Sequence, residues 1–175
     1  MARILGVDPG LTRCGWAVID SGKLLDSGLL QSSPADPPHV RVGAIAAELE
    51  QVAIRHQPSL IALERVFAQA NLRSVMGVAQ VSGALMACAH RLSIGVEFFT
   101  PSEVKAAVTG NGRATKDQVK LMVSKLLGLA EAPKVADVAD AMAVALTASK
   151  RSTVAQTAAQ RKWVAAAKAA NPRLG

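Results

Sequence analysis

Four acidic residues stand inside segments otherwise built from apolar side chains. Asp8 closes the run Ile4-Leu5-Gly6-Val7, and Glu64 closes Leu60-Ile61-Ala62-Leu63. Asp137 and Asp140 interrupt the helical run from Val135 to Val144. Acids embedded in core-forming segments are costly unless paired or bound to metal. Two unit charges about 5 Å apart repel by roughly 3 kcal/mol at an effective dielectric of about 20. Several converging carboxylates must therefore take up protons or hold a cation. Oxygen-only ligands select a hard ion, Mg2+ or Mn2+. Paired ions about 3.5–4 Å apart suit phosphodiester hydrolysis, one activating water and the other stabilising the leaving oxygen. Each acid alone has a plainer reading: Asp8 as a turn residue before Pro9-Gly10, Glu64 as a partner of Arg65 or Arg73, Asp137 as a late helix cap. Taken together, those readings are less economical than one metal site.

The elements around these acids alternate. Strand-like runs cover Arg3–Asp8, Cys14–Asp20 and Lys23–Gln31, with Ser21-Gly22 as a tight-hairpin signal between the last two. Three prolines make Ser32–His39 a loop. Helical spacing of Val42, Ile45, Ala46, Leu49, Val52 and Ala53 predicts a helix over Val40–His56. A buried strand follows at Leu60–Leu63, and another at Gly95–Phe99. Thr100-Pro101-Ser102-Glu103 reads as a helix start capped by Thr100, and Thr115–Leu127 and Val135–Lys150 read as further helices. Three consecutive strands, then strands alternating with helices, imply an α/β fold with a mixed sheet. Asp8 and Glu64 then sit at the C-terminal ends of strands, where sites form in open sheets. Asp137 and Asp140, three apart, project from one helix face about 5–6 Å from each other.

The segment Asn71–Leu92 is apolar nearly all round, so a helix there is expected to be buried on more than one side. Gly77, Ala79, Gly83, Ala84 and Ala87 would permit close approach of a second subunit; burial within the monomer is the alternative.

The chain of 175 residues fits one domain, with a net charge of +7 that favours a polyanionic partner. From residue 151 onward it carries Arg151, Arg161, Lys162, Lys168 and Arg173 and no acid. This Ala-rich tail (151–175), frayed helix or mobile, contacts nucleic acid or merely solubilises, while residues 1–150 form the folded domain. No apolar run reaches membrane-spanning length, and the first residues enter a strand directly, so neither signal peptide nor membrane helix is expected. Cys14 and Cys88 match no metal-ligand spacing and are expected as reduced core thiols of a cytoplasmic protein.

The stretch Val7–Gly15 also has the look of the phosphate-binding hairpin of the actin, chaperone ATPase and sugar-kinase superfamily. That architecture needs a second lobe and a second Asp-x-Gly loop, and the chain offers neither the loop nor the length. Four segments in order instead carry a closer resemblance: Ile4-Leu5-Gly6-Val7-Asp8-Pro9-Gly10, Ala62-Leu63-Glu64-Arg65-Val66-Phe67, Gly110-Asn111-Gly112-Arg113-Ala114-Thr115-Lys116 and Asp137-Val138-Ala139-Asp140-Ala141. Through about residue 150 the chain resembles the RuvC-type Holliday-junction resolvases of bacteria. The resemblance implies a ribonuclease H-like mixed five-stranded sheet flanked by helices, a homodimer, and paired symmetric nicks in a four-way DNA junction during recombination and repair. It implies Mg2+, two ions per site with Mn2+ able to substitute, held by Asp8, Glu64, Asp137 and Asp140. Some members carry His at the position of Asp137.

Phe67 matches an aromatic that wedges against bases at the junction centre, with packing on the neighbouring helix as the alternative. Lys105 and Lys116 match basic positions facing phosphates near the scissile bond, or are solvated surface lysines. Lys116 is also placed to stabilise charge in the transition state. Arg13, Arg73 and Arg113 are expected backbone contacts. A branch-migration motor of RuvA and RuvB type is implied as a partner. The competing functions are a ribonuclease H-like enzyme acting on RNA or hybrid, and a junction-binding scaffold without nuclease activity; the four intact acids argue against the latter.

Overall fold

Strand β1 (Arg3–Asp8) is buried from Ile4 to Val7, the pattern of a strand covered on both faces. A computed structural model describes residues 3–65 and 72–154, with the backbone alone for 72–74 and 152–154. β1 leads into the hairpin β2 (Arg13–Asp20) and β3 (Lys23–Gln31), then α1 (Pro38–His56), β4 (Leu60–Glu64), α2 (Leu72–Arg91), β5 (Gly95–Phe99), α3 (Pro101–Thr109), α4 (Lys116–Leu127) and α5 (Ala136–Val154). The sheet order is β3-β2-β1-β4-β5, with β1 central, antiparallel to β2 and parallel to β4. β4 and β5 are also parallel, so the sheet is mixed.

Alternation along the strands divides the core in two. Ile4, Ala17, Ile19, Ala62 and Phe99 pack with Val104, Val108, Val123 and the α5 residues Ala141 and Ala145. Leu5, Val7, Val18, Ile61 and Leu63 pack instead with Ile45 and Leu49 of α1 and Val81 and Leu85 of α2. The sheet is thus sandwiched by α3, α4 and α5 on one face and by α1 and α2 on the other. Helix α5 lies flat on β1 and β2 because two strand residues have no side chain. A Cβ on Gly6 would press into the Ala141 carbonyl and stand 2.7 Å from Ala145 Cβ, and one on Gly15 would run into the Asp137 carbonyl.

Local signals explain most boundaries. Ser21 and Gly22 both take positive φ, 52° and 80°, as a two-residue hairpin turn demands. Thr100 with Glu103, and Thr115 with Gln118, form complete capping boxes, and Gly110 and Gly128 end α3 and α4 in the left-handed conformation. Thr115 is therefore the cap of α4 rather than its first residue. The expected loop Ser32–His39 is shorter: Pro38 opens α1, because the first helical position needs no N–H donor. Helix α5 runs to Val154, into the segment read as tail; the rest of that tail, 155–175, lies outside the described residues. Cys14 and Cys88 are free and buried. Burial pushes the Cys14 thiol up to about 12, so it stays protonated.

Helix α2 sets aside the alternative of burial within the monomer. Its inner side is buried through Val81, Leu85, Cys88 and Ala89, and Gly77 faces inward, where a Cβ would come within 2.9 Å of Leu11. The opposite side is open: Met76 is 59% exposed and Met86 43%. A Cβ on Gly83 would meet nothing within 4 Å. Apolar composition all round therefore does not mean burial all round within this chain. Among the described residues, no helix is long and apolar enough to cross a membrane.

Candidate active site

The period of two along a strand decides where the strand acids point. Asp8 follows Ile4 and Gly6 onto the face covered by α5, and Glu64 follows Leu60 and Ala62 onto the same face. The parallel register that joins Val7 to Leu63, carried one residue further, sets Asp8 beside Glu64 at the strand ends. On the other side Asp8 pairs with Gly15, over which the first turn of α5 sits. That turn carries Asp137, and Asp140 follows one turn later. Helix α5 begins at Ala136, before Asp137, which therefore lies within the helix rather than capping it. Asp8 is the last paired residue of β1 rather than a free turn residue.

The acids perturb one another. Asp8 is pushed from 3.8 to about 7, first by burial and then by Glu64, Asp140 and Asp137, with Lys116 opposing. Burial and Asp140 raise Glu64, while Lys116 and Lys105 pull it down. Burial also raises Asp140, and there Lys116 is the largest opposing charge. The Nζ of Lys116 stands 3.9 Å from Asp140 Oδ2, a loose pair on a lysine that is 83% exposed. Beside these groups opens a cleft of about 260 Å³ lined by Glu64, Asp140, Lys105, Lys116, Pro101 and Val104, among others. An anionic strand can enter there along the two lysines.

The carboxylates share one edge and one face without closing into a cage. Among the described residues, no three His, Cys, Asp or Glu side chains are gathered tightly enough to hold a metal ion. Like charges repel, and two of the acids have basic neighbours: Lys116 stands 3.9 Å from Asp140, and Arg13 donates to Asp137. The Nε and Nη2 of Arg13 donate to Asp137 Oδ2 at 3.0 and 2.8 Å. Arg13, expected at the DNA backbone, is thus engaged with one of the four acids. As a donor set the cluster still fits a hard divalent ion: every ligand is an oxygen, and the half-buried Asp8, when ionised, calls for a compensating positive charge.

The other expected contacts divide. Lys105 is half-buried in the wall of the cleft. Arg113 is exposed on the α3–α4 loop, its backbone N–H donating to Asn111 Oδ1 at 2.9 Å. Phe67 and the side chain of Arg73 lie outside the described residues. Two arginines given no place in the site from sequence flank the same sheet edge. The Arg65 guanidinium lies over the Phe98 ring at 5.9 Å, rather than on Glu64, and that of Arg151 over Phe99 at 5.7 Å. Arg65 carried a signal, being the residue directly after the strand-end acid; Arg151 showed only as one more charge at the start of the tail.

Comparison with known proteins bears on this arrangement. A family model described as crossover junction endodeoxyribonuclease RuvC matches residues 4–148. The chain is 43% identical over 200 residues to the crossover junction endodeoxyribonuclease RuvC of Clavibacter michiganensis subsp. michiganensis, covering 98% of this chain and 99% of that one. It is 50% identical over 154 residues to the protein of the same name from Clavibacter sepedonicus, covering 85% and 76%. Its fold is similar to that of the T. thermophilus RuvC solved in complex with a Holliday-junction substrate. The TM-score is 0.83 at 34% identity, covering 88% of this chain and 96% of that one.

Proposed function

The chain belongs to the crossover junction endodeoxyribonuclease RuvC family, with its ribonuclease H-like fold, and resolves four-way DNA junctions by endonucleolytic cleavage; we propose that it does so at a site formed by Asp8, Glu64, Asp137 and Asp140. Nucleases of this family depend on a divalent metal. The observation that carries the reading is Asp8: a half-buried carboxyl at a strand end, pushed up to about 7 with three further acids close enough to add to the push. Such a group is a liability to the fold and an asset to a cation site.

Two Mg2+ ions, which Mn2+ can replace, are the expected occupants. When bound, they supply water activation and neutralise charge on the cleaved phosphate. Asp8, central on the sheet, and Glu64, Asp140 and Asp137 would hold them. Lys116 and Lys105 guide the phosphate backbone into the cleft, and Lys116, exposed beside Asp140, offers its ammonium to the charge that builds on the phosphate oxygens. Phe67, three residues beyond Glu64, is assigned to wedging open the junction centre. Asp140→Asn tests the assignment: cleavage is expected to fall by on the order of a hundredfold or more. Junction binding should persist, because phosphate contacts supply much of the affinity. Retained metal-dependent cutting by that variant would remove the acids from the mechanism.

A second copy of the chain is the proposed occupant of the open face of α2. Met76 and Met86 stand exposed there around the unobstructed Gly83. A four-way junction presents two equivalent strands, and an isologous dimer presents two equivalent sites. A branch-migration motor is the expected further partner, and the cytoplasm, where free thiols persist, the expected compartment.

A further inference from the structure

We propose that Arg13 is a positioning residue that weakens the hold of the acid cluster on its outer cation by occupying Asp137. The inference rests on the reading of the four acids as the metal site. Arg13 opens β2, two residues before Gly15, and its side chain reaches Asp137 at the start of α5. Both of its donating nitrogens converge on the single oxygen Oδ2 of Asp137. A fork laid across both carboxylate oxygens would use the group up; this one-oxygen arrangement does not engage Oδ1, which is left to serve another partner.

The backbone of Asp137 is fixed, because its carbonyl rests against the bare Cα of Gly15. What remains adjustable is the carboxylate orientation, and Arg13 sets it. The pair is also open to water, with side chains 45% and 25% exposed, so its grip is weak enough to be exchanged. The remaining acids are balanced differently. Glu64 and Asp140 feel Lys116 and Lys105 as point charges across the cleft, neither of them a forked partner. A guanidinium keeps its charge at every pH the enzyme meets, so the competitor for Asp137 is permanent. Asp8, Glu64 and Asp140 thus have no guanidinium to compete with a cation, whereas Asp137 would contribute a ligand that a cation must share with an arginine.

The test is direct binding of Mn2+ to the full-length, DNA-free protein, with unbound Mn2+ counted by electron paramagnetic resonance. Removing one positive charge from beside a divalent ion in a water-facing site is worth on the order of tenfold in affinity. Arg13→Gln is therefore expected to tighten the weaker ion by about tenfold, while Arg13→Lys, which keeps the charge, stays within about twofold of the parent. In an Asp137→Asn background, Arg13→Gln should change nothing further, since the arginine acts through that carboxylate. Unchanged or weaker Mn2+ binding by Arg13→Gln, or an effect that survives without Asp137, would overturn the proposal. Asp8→Asn separates the two layers. If the parent binds no Mn2+ that Asp8→Asn removes, the metal-site reading itself fails and the role of Arg13 falls with it. Thermal melts in EDTA confirm that each variant is folded.

Discussion

Replacing Asp8 by Asn should make the metal-free protein more stable, although Asp8 is the most central residue of the site. Burial and three neighbouring acids move its carboxyl from 3.8 to about 7. Between those values the folded chain holds a proton that the unfolded chain has already lost. Stability therefore falls as pH rises through this window and levels off above about 7. A displacement of that size corresponds to at most about 4 kcal/mol, at about 1.4 kcal/mol per tenfold change in proton affinity. Asn keeps the shape and cannot ionise, so it recovers this loss. Urea unfolding in EDTA, followed by circular dichroism, gives the comparison. At pH 8 Asp8→Asn should be more stable than the parent by about 2–4 kcal/mol, and at pH 5 by only about 1–1.5 kcal/mol. Saturating Mg2+ should narrow or reverse the order, because the ion stabilises the parent far more than the variant. An Asn variant no more stable than the parent at pH 8, or an advantage independent of pH, would refute the electrostatic reasoning.

Other perturbations separate the parts of the site. Gly15→Ala drives a Cβ into the Asp137 carbonyl and should cost about 3 kcal/mol, the upper range for overpacking; a melting temperature within a degree of the parent would show that α5 can shift without cost. Lys116→Ala is expected to lower single-turnover cleavage by about a hundredfold while junction affinity changes little, and an affinity loss that accounts for the whole effect would make it a binding residue only. Phe67→Ala should slow cleavage more than it weakens binding, measured on a junction with fixed arms; an unchanged single-turnover rate would return the ring to a packing role. Met86→Glu places a charge on the open face of α2 and should shift sedimentation from dimer to monomer, whereas an unaltered dimer would put the interface elsewhere.

What could be read from the residues follows the range of the physics involved. The strand-end acids were legible because an apolar run that stops on a carboxylate is a local event, as are the Thr100 and Thr115 caps. The α/β class followed from alternating periods, and the shared helix face of Asp137 and Asp140 from their spacing of three. The sheet order was another matter: nothing near β1 says that β2 and β4, rather than β5, will flank it. The tie between Arg13 and Asp137 spans 124 positions, so spacing arguments could only leave Arg13 as a plausible phosphate contact. Gly6 and Gly15 likewise look like ordinary strand glycines until a helix is laid across them. For α2, composition could not distinguish a face buried in its own core from an open one, which left both burial within the monomer and contact with a second subunit in play.

The most direct measurement is a cleavage assay on three substrates: a mobile four-way DNA junction, a linear duplex and an RNA–DNA hybrid, each with and without Mg2+. Paired symmetric nicks confined to the junction, dependent on Mg2+ and lost in Asp140→Asn, are the result expected of junction resolution at this carboxylate site. Cutting of duplex or hybrid at a comparable rate, or junction cutting that survives in EDTA, would contradict it.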